Sequence, residues 1–156
     1  MRHYWLDRIT HLEVGARATG VKAIALAEDE FEAHFPGNPV LPGIYLLEGL
    51  AQTAGVLLNQ TTGGKRVALM ASVDRARFVA FARPGDRVEL QIELESLDNE
   101  LARVRGAASV GGRPIASARL TFRLVDPASF IPAAFRPFWE QAMNTWLGQY
   151  PESGDG

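Results

Sequence analysis

A histidine and a glutamate bracket one short, proline-punctuated stretch, HFPGNPVLPGIYLLE, with His34 opening it and Glu48 closing it. A histidine titrates near neutrality and suits a general base. A carboxyl in apolar surroundings is favoured in its proton-donating form. Pro36, Pro39 and Pro42 fix φ and remove backbone donors, so residues 35–42 can be neither helix interior nor central strand. The stiff loop they predict ends at Gly43, where a residue without Cβ lets a backbone N–H come close to a ligand. From Ile44, the residues Leu47, Glu48, Ala51, Gln52, Ala54, Gly55 and Leu58 recur at helical spacing. The apolar character runs nearly all round, which predicts a buried helix to about Asn59. A carboxylate set into such a helix needs a partner or a task, because burying an unpaired charge is expensive.

The elements that must position this pair follow from the rest of the chain. A helical turn is expected at 4–8, then two short strands or one bent strand across 9–26, broken at Gly15-Ala16-Arg17. Thr61-Thr62-Gly63-Gly64 punctuates the end of the helix. Val67, Leu69, Ala71 and Val73 alternate as a strand does. After Pro84-Gly85-Asp86, Val88, Leu90, Ile92 and Leu94 alternate with polar residues. Asp98-Asn99 and Gly111-Gly112 then mark two hairpin turns, each leading into a further alternating run. One long buried helix among successive antiparallel strands indicates an α+β fold, with the helix wrapped by a curved sheet.

Bulk properties exclude several classes of chemistry. The 156 residues suit one domain with a full core, and the apolar share of 47% and charged share of 22% are ordinary for a globular chain. A net charge of −2 gives no general argument for nucleic acid or membrane surfaces. With no cysteine, thiol catalysis, disulfides and cysteine-ligated metals are excluded. No apolar stretch is long enough to span a bilayer, and MRHYWLDRIT lacks the features of a signal peptide, so a cytoplasmic location is expected. No metal motif, nucleophile elbow or phosphate loop occurs, and no cofactor is expected. His3 and His11 read as surface residues.

The His34-Phe35-Pro36-Gly37 run, the Pro39 and Pro42-Gly43 positions and the Glu48-Gly49-Leu50-Ala51-Gln52 helix resemble the β-hydroxyacyl-acyl-carrier-protein dehydratases of the FabZ type. Leu6-Asp7-Arg8-Ile9, Asp74-Arg75-Ala76-Arg77-Phe78 and Arg83-Pro84-Gly85-Asp86 are similar to further family stretches, and the resemblance covers about residues 4–126. It implies a hotdog fold dimerising into a continuous sheet, and dehydration of a (3R)-3-hydroxyacyl thioester to the trans-2-enoyl product. His34 of one protomer would act as base, facing Glu48 of the other as acid, with the Gly43 N–H at the thioester oxygen. It also implies a substrate tunnel at Leu41, Gln52, Phe78 and Phe81, and an acyl carrier protein docked on Arg75, Arg77 and Arg83. A homodimer is expected, with a trimer of dimers as a further possibility.

The chain departs from the family pattern at three places. Ala33 replaces the usual Gly before the histidine, Val79-Ala80-Phe81 replaces Lys-Arg-Pro, and residues 127–156 extend past the family's last strand. The expected division is therefore 1–126 as the hotdog domain and 127–156 as an extension. In that extension Phe138, Trp139, Ala142, Met143, Trp146 and Leu147 form the stripe of an amphipathic helix packed on the domain or dimer. Residues 152–156 read as disordered. Asp29 stands five residues before His34, as in MaoC-type hydratases, but the Asn-Pro pair of that branch is missing. Glu rather than Asp at 48 argues against the isomerising FabA-type branch. Alternatives are a non-catalytic acyl-binding hotdog subunit of a heteromer, an enoyl-thioester hydratase and a thioesterase.

Overall fold

The computed structural model describes residues 4–150, so the expectations for His3 and for residues 152–156 lie outside the described residues. Six antiparallel strands form one sheet: β1 (Arg8–Glu13), β2 (Arg17–Ala23), β3 (Val67–Phe78), β4 (Arg87–Leu97), β5 (Leu101–Val110) and β6 (Arg113–Val125). Their order across the sheet is β1-β2-β4-β5-β6-β3. The helices are α1 (Glu30–Ala33), α2 (Gly43–Thr61), α3 (Pro127–Phe130) and α4 (Arg136–Trp146), with a 3-10 turn at Ala133–Phe135.

Alternation decides which face of the sheet turns inward. Val88, Leu90 and Ile92 of β4, Val104 of β5, and Leu120 and Phe122 of β6 are all sealed from solvent. They meet Leu46, Leu50, Ala54, Leu57 and Leu58 of α2, which packs against every strand. Two glycines permit this close approach. A Cβ at Gly49 would lie 2.7 Å from the Trp5 carbonyl oxygen, and one at Gly106 would lie 3.1 Å from Ile92 Cδ1. This is the α+β, helix-in-sheet hotdog arrangement that the sequence predicts.

Residues 4–7 differ from expectation, because they form no helical turn. Their backbone is committed at long range: the Trp5 N–H donates to Gln52 Oε1 at 2.9 Å, and the Asp7 N–H donates to the Val21 carbonyl at 2.8 Å. The α2 helix is also less enclosed than its sequence suggests. Ile44 is 68% exposed, and Glu48, Ala51, Gln52 and Gly55 are only partly buried, so one face escapes the sheet. Among the described residues no strand lies beside the outer edge of β3, and Met70, Val73 and Phe78 are exposed along that strand. Among the described residues, no helix is long and apolar enough to cross a membrane.

Candidate active site

His34 stands where α1 ends and the proline loop begins. Its Nδ1 lies 2.8 Å from the carbonyl oxygen of Val40, which can only accept. The proton of a neutral ring therefore belongs on Nδ1, which leaves a lone pair on Nε2. The loop is closed on itself by Val40 N–H to the His34 carbonyl at 3.0 Å and Asn38 N–H to the Phe35 carbonyl at 2.9 Å. The His34–Phe35 peptide bond is cis, and the two rings stack with centroids 4.0 Å apart. Val40 and Leu41 anchor the loop in the core, and the Leu41 N–H donates to the Ala82 carbonyl at 2.8 Å.

Gly43 begins α2, so its N–H belongs to the first turn, where helix amides have no intrahelical acceptor. A larger residue here would press on Phe78, since a Cβ at position 43 would sit 2.8 Å from Phe78 Cδ1. Further along the helix, Gln52 Nε2 donates to Glu48 Oε1 at 2.9 Å. The other end of the same amide accepts from the Trp5 N–H, so the N-terminal segment orients the group that holds the carboxylate. Trp5 also stacks on Tyr45, whose phenol is raised by burial and by the neighbouring Glu30 carboxylate.

Glu48 lines a cavity of about 420 Å³. Ala51, Gln52 and Gly55 of α2 form its floor, and Met70 of β3 stands at one side. Trp139, Met143 and Trp146 of α4 close another side. Within one chain His34 and Glu48 are held separately, one by Val40 and the other by Gln52.

The residues expected in a tunnel are spread out in the single protomer. Gln52 borders the Glu48 cavity and Leu41 lies in the core, whereas Phe78 and Phe81 are exposed. The three arginines divide. Arg75 and Arg77 share a hollow of about 290 Å³ on the outer face with Arg105 and Arg119. Arg105 is paired with Glu93, and Arg119 with Glu95 at 3.0 Å; among the described residues Arg75 and Arg77 have no ion-pair partner. Arg83 instead reaches the His34 loop, donating to Asn38 Oδ1 at 2.8 Å and to the Pro39 carbonyl at 3.1 Å. Gly55, Trp139 and Met143 were not singled out as site residues by sequence. The apolar stripe of the extension was the available signal, but nothing in it indicated the face of α2 that it meets. Among the described residues, no group of three or more His, Asp or Glu side chains could hold a metal.

Residues 3–119 match the model of the FabA-like domain family. The chain belongs to that family, on its FabZ-type branch. It is 40% identical over 135 residues to a 3-hydroxyacyl-(acyl-carrier-protein) dehydratase FabZ of Symbiobacterium thermophilum, a match covering 85% of this chain and 95% of the relative. It is 39% identical over 123 residues to the FabZ of Chloroflexus aggregans, covering 78% and 85%. Among solved structures, the dehydratase heterocomplex ApeI:P of Xenorhabdus doucetiae superposes with a TM-score of 0.65 at 16% identity, covering 83% of this chain and 88% of that one. TT0310 of Thermus thermophilus gives 0.59 at 22% identity, covering 74% and 89%. At these identities the structural likeness speaks for the fold alone.

Proposed function

We propose that this FabZ-type chain dehydrates (3R)-3-hydroxyacyl thioesters carried on acyl carrier protein, giving trans-2-enoyl thioesters and water. His34 Nε2 takes the C2 proton. The electron pair left at C2 forms the C2–C3 double bond as the C3–O bond breaks, and Glu48 of the partner subunit protonates the departing hydroxyl. The Gly43 N–H, at the positive end of α2, meets the negative charge that gathers on the thioester oxygen. The observation carrying this reading is the bond from His34 Nδ1 to Val40, which reserves Nε2 as a base inside the motif shared with the family.

Two features support a dimer as the catalytic unit. The β3 edge is open, and exposed Met70, Val73 and Phe78 on it, with Ile44 at the start of α2, offer an apolar face for a second copy. Pairing would remove the edge-strand liability and bring one protomer's loop towards the other's helix. Arg75 and Arg77, which have no ion-pair partner among the described residues, suit an acidic carrier protein.

The test is an assay of the purified protein on 3-hydroxyacyl-carrier-protein substrates. The wild type should form the enoyl product. His34→Ala and Glu48→Gln should each lower kcat by about a thousandfold while keeping the fold. Near-normal turnover by either variant would overturn these roles.

A further inference from the structure

We propose that α4 closes the acyl cavity beside Glu48 and thereby sets the length of acyl chain accepted; this rests on the dehydratase reading of Glu48. The cavity follows α2 from Glu48 to Gly55, two turns of helix or about 10 Å. At Glu48 it meets the carboxylate assigned to the C3 hydroxyl. Away from Glu48 the walls are mainly apolar, with Met70 from β3 and Trp139 and Met143 from α4. A thioester placed with its C3 hydroxyl at Glu48 would extend its hydrocarbon tail along this space, and the side chains closing it would limit the tail.

The wall is firmly held. Trp146 Nε1 donates to the Leu6 carbonyl at 2.8 Å, and its ring meets Tyr4 edge-on at 5.4 Å. Met143 and Trp146 are buried, while Phe138, in the first turn of the same helix, is 60% exposed. The helix thus presents one face to the cavity and leaves the other in solvent. It also lies beyond residue 119, where the family match ends, so this wall is not part of the matched domain. On α2, a Cβ added at Gly55 would meet nothing within 4 Å, so larger side chains there would project into free space.

These positions give opposite predictions. Opening the wall with Trp139→Ala or Met143→Ala should raise the kcat/KM ratio of a ten-carbon over a four-carbon 3-hydroxyacyl N-acetylcysteamine thioester about tenfold. Filling the space with Gly55→Leu should lower it by about as much. Met143 is buried and its truncation puts the helix at risk, so half-buried Trp139 supplies the second opening variant. Gly55→Leu has a favourable helix propensity.

A parallel measurement uses the decyl thioether of N-acetylcysteamine, which cannot react, and reads its Kd by calorimetry. Tighter binding to the opened variants and weaker binding to Gly55→Leu would support the α4 role. If the wild type turns over neither thioester, the dehydratase reading fails, while the thioether still reports on the cavity. Unchanged ratios and Kd values in folded Trp139→Ala and Gly55→Leu proteins would overturn the proposal.

Discussion

Arg83 and Asn38 are joined side chain to side chain at 2.8 Å, and the same guanidinium nitrogen reaches the Pro39 carbonyl. The Arg83 N–H is itself fixed by Asp86 Oδ2 at 2.8 Å. The segment after β3 therefore braces the loop that carries His34, although Arg83 and Asn38 are exposed. Arg83 thus serves the geometry of the loop, whereas Arg75 and Arg77 have no such commitment.

Charge reversal should separate these duties. Arg75→Glu or Arg77→Glu is expected to raise KM for a carrier-protein substrate by roughly three- to tenfold, to add little on an N-acetylcysteamine thioester, and to weaken the salt dependence. Arg83→Glu should lower kcat/KM on both substrates by similar factors, because it loosens the His34 loop. Steady-state kinetics on the two substrate types at low and high salt would check this. Equal losses for all three variants would remove the docking role of Arg75 and Arg77.

Subunit mixing tests the shared site. His34→Ala and Glu48→Gln proteins, each inactive, should regain about one quarter of wild-type activity after exchange. Half of the dimers would be mixed, and each of those would hold one intact pair in two sites. No recovery after exchange verified by mass spectrometry would place the working pair within a single chain.

Gly43→Ala should destabilise the protein by about 1–3 kcal/mol in urea unfolding and reduce activity, because its Cβ would enter the Phe78 ring. Phe78→Ala in the same chain should recover much of the lost stability. Additive losses in the double variant would show that the two residues do not press on one another.

Asp74 supplies a pH-dependent contribution. Hydrogen bonds from Ser72 Oγ and Thr121 Oγ1, each at 2.6 Å, hold its carboxyl below the ordinary value of 3.8, with desolvation opposing and Arg103 and Arg119 assisting. A group depressed in the folded state stabilises the fold above its unfolded pKa and loses that effect as pH falls through the folded value. Asp74→Asn should therefore be less stable than wild type at about pH 6, and the gap should narrow as the pH falls below 3.8. Urea midpoints across that pH range would measure it, and a constant gap would argue against the hydrogen-bonded carboxylate as the cause.

The sheet was legible where burial is one-sided. Val88, Leu90 and Ile92 alternate because every second residue faces α2, and period two survives in the sequence. The His34 loop was legible because three prolines leave the backbone few options. Strand order was not, since β3 lies beside β6 rather than β4 through pairings distant in sequence. Bulges at Met70/Ser72 and Val73/Arg75 also disturb β3, and only the register brings Arg75 opposite Arg119. The turn expected at 4–8 failed because local propensity there yields to long-range bonds from Trp5 and Asp7. The open face of α2 was hidden for a related reason. Ala54 and Gly49 are buried while Ala51 and Gly55 are only partly so, and residue type does not tell them apart; only packing reveals which side the sheet leaves free.

The bond from Trp146 to Leu6 joins positions 140 residues apart, almost the full span of the described chain. Such a contact has a very high sequence separation, which disfavours it early in folding, and it can form only after both partners have been synthesised. The strands and α2 have all left the ribosome before Trp146 does, so the wall of the cavity can close only after they have emerged. A polypeptide cut short within α4 would keep the residues of the proposed acid–base pair and lose the wall beside it. Proteolysis or early termination in this segment would then yield a protein altered in what it accepts before it is altered in whether it can react.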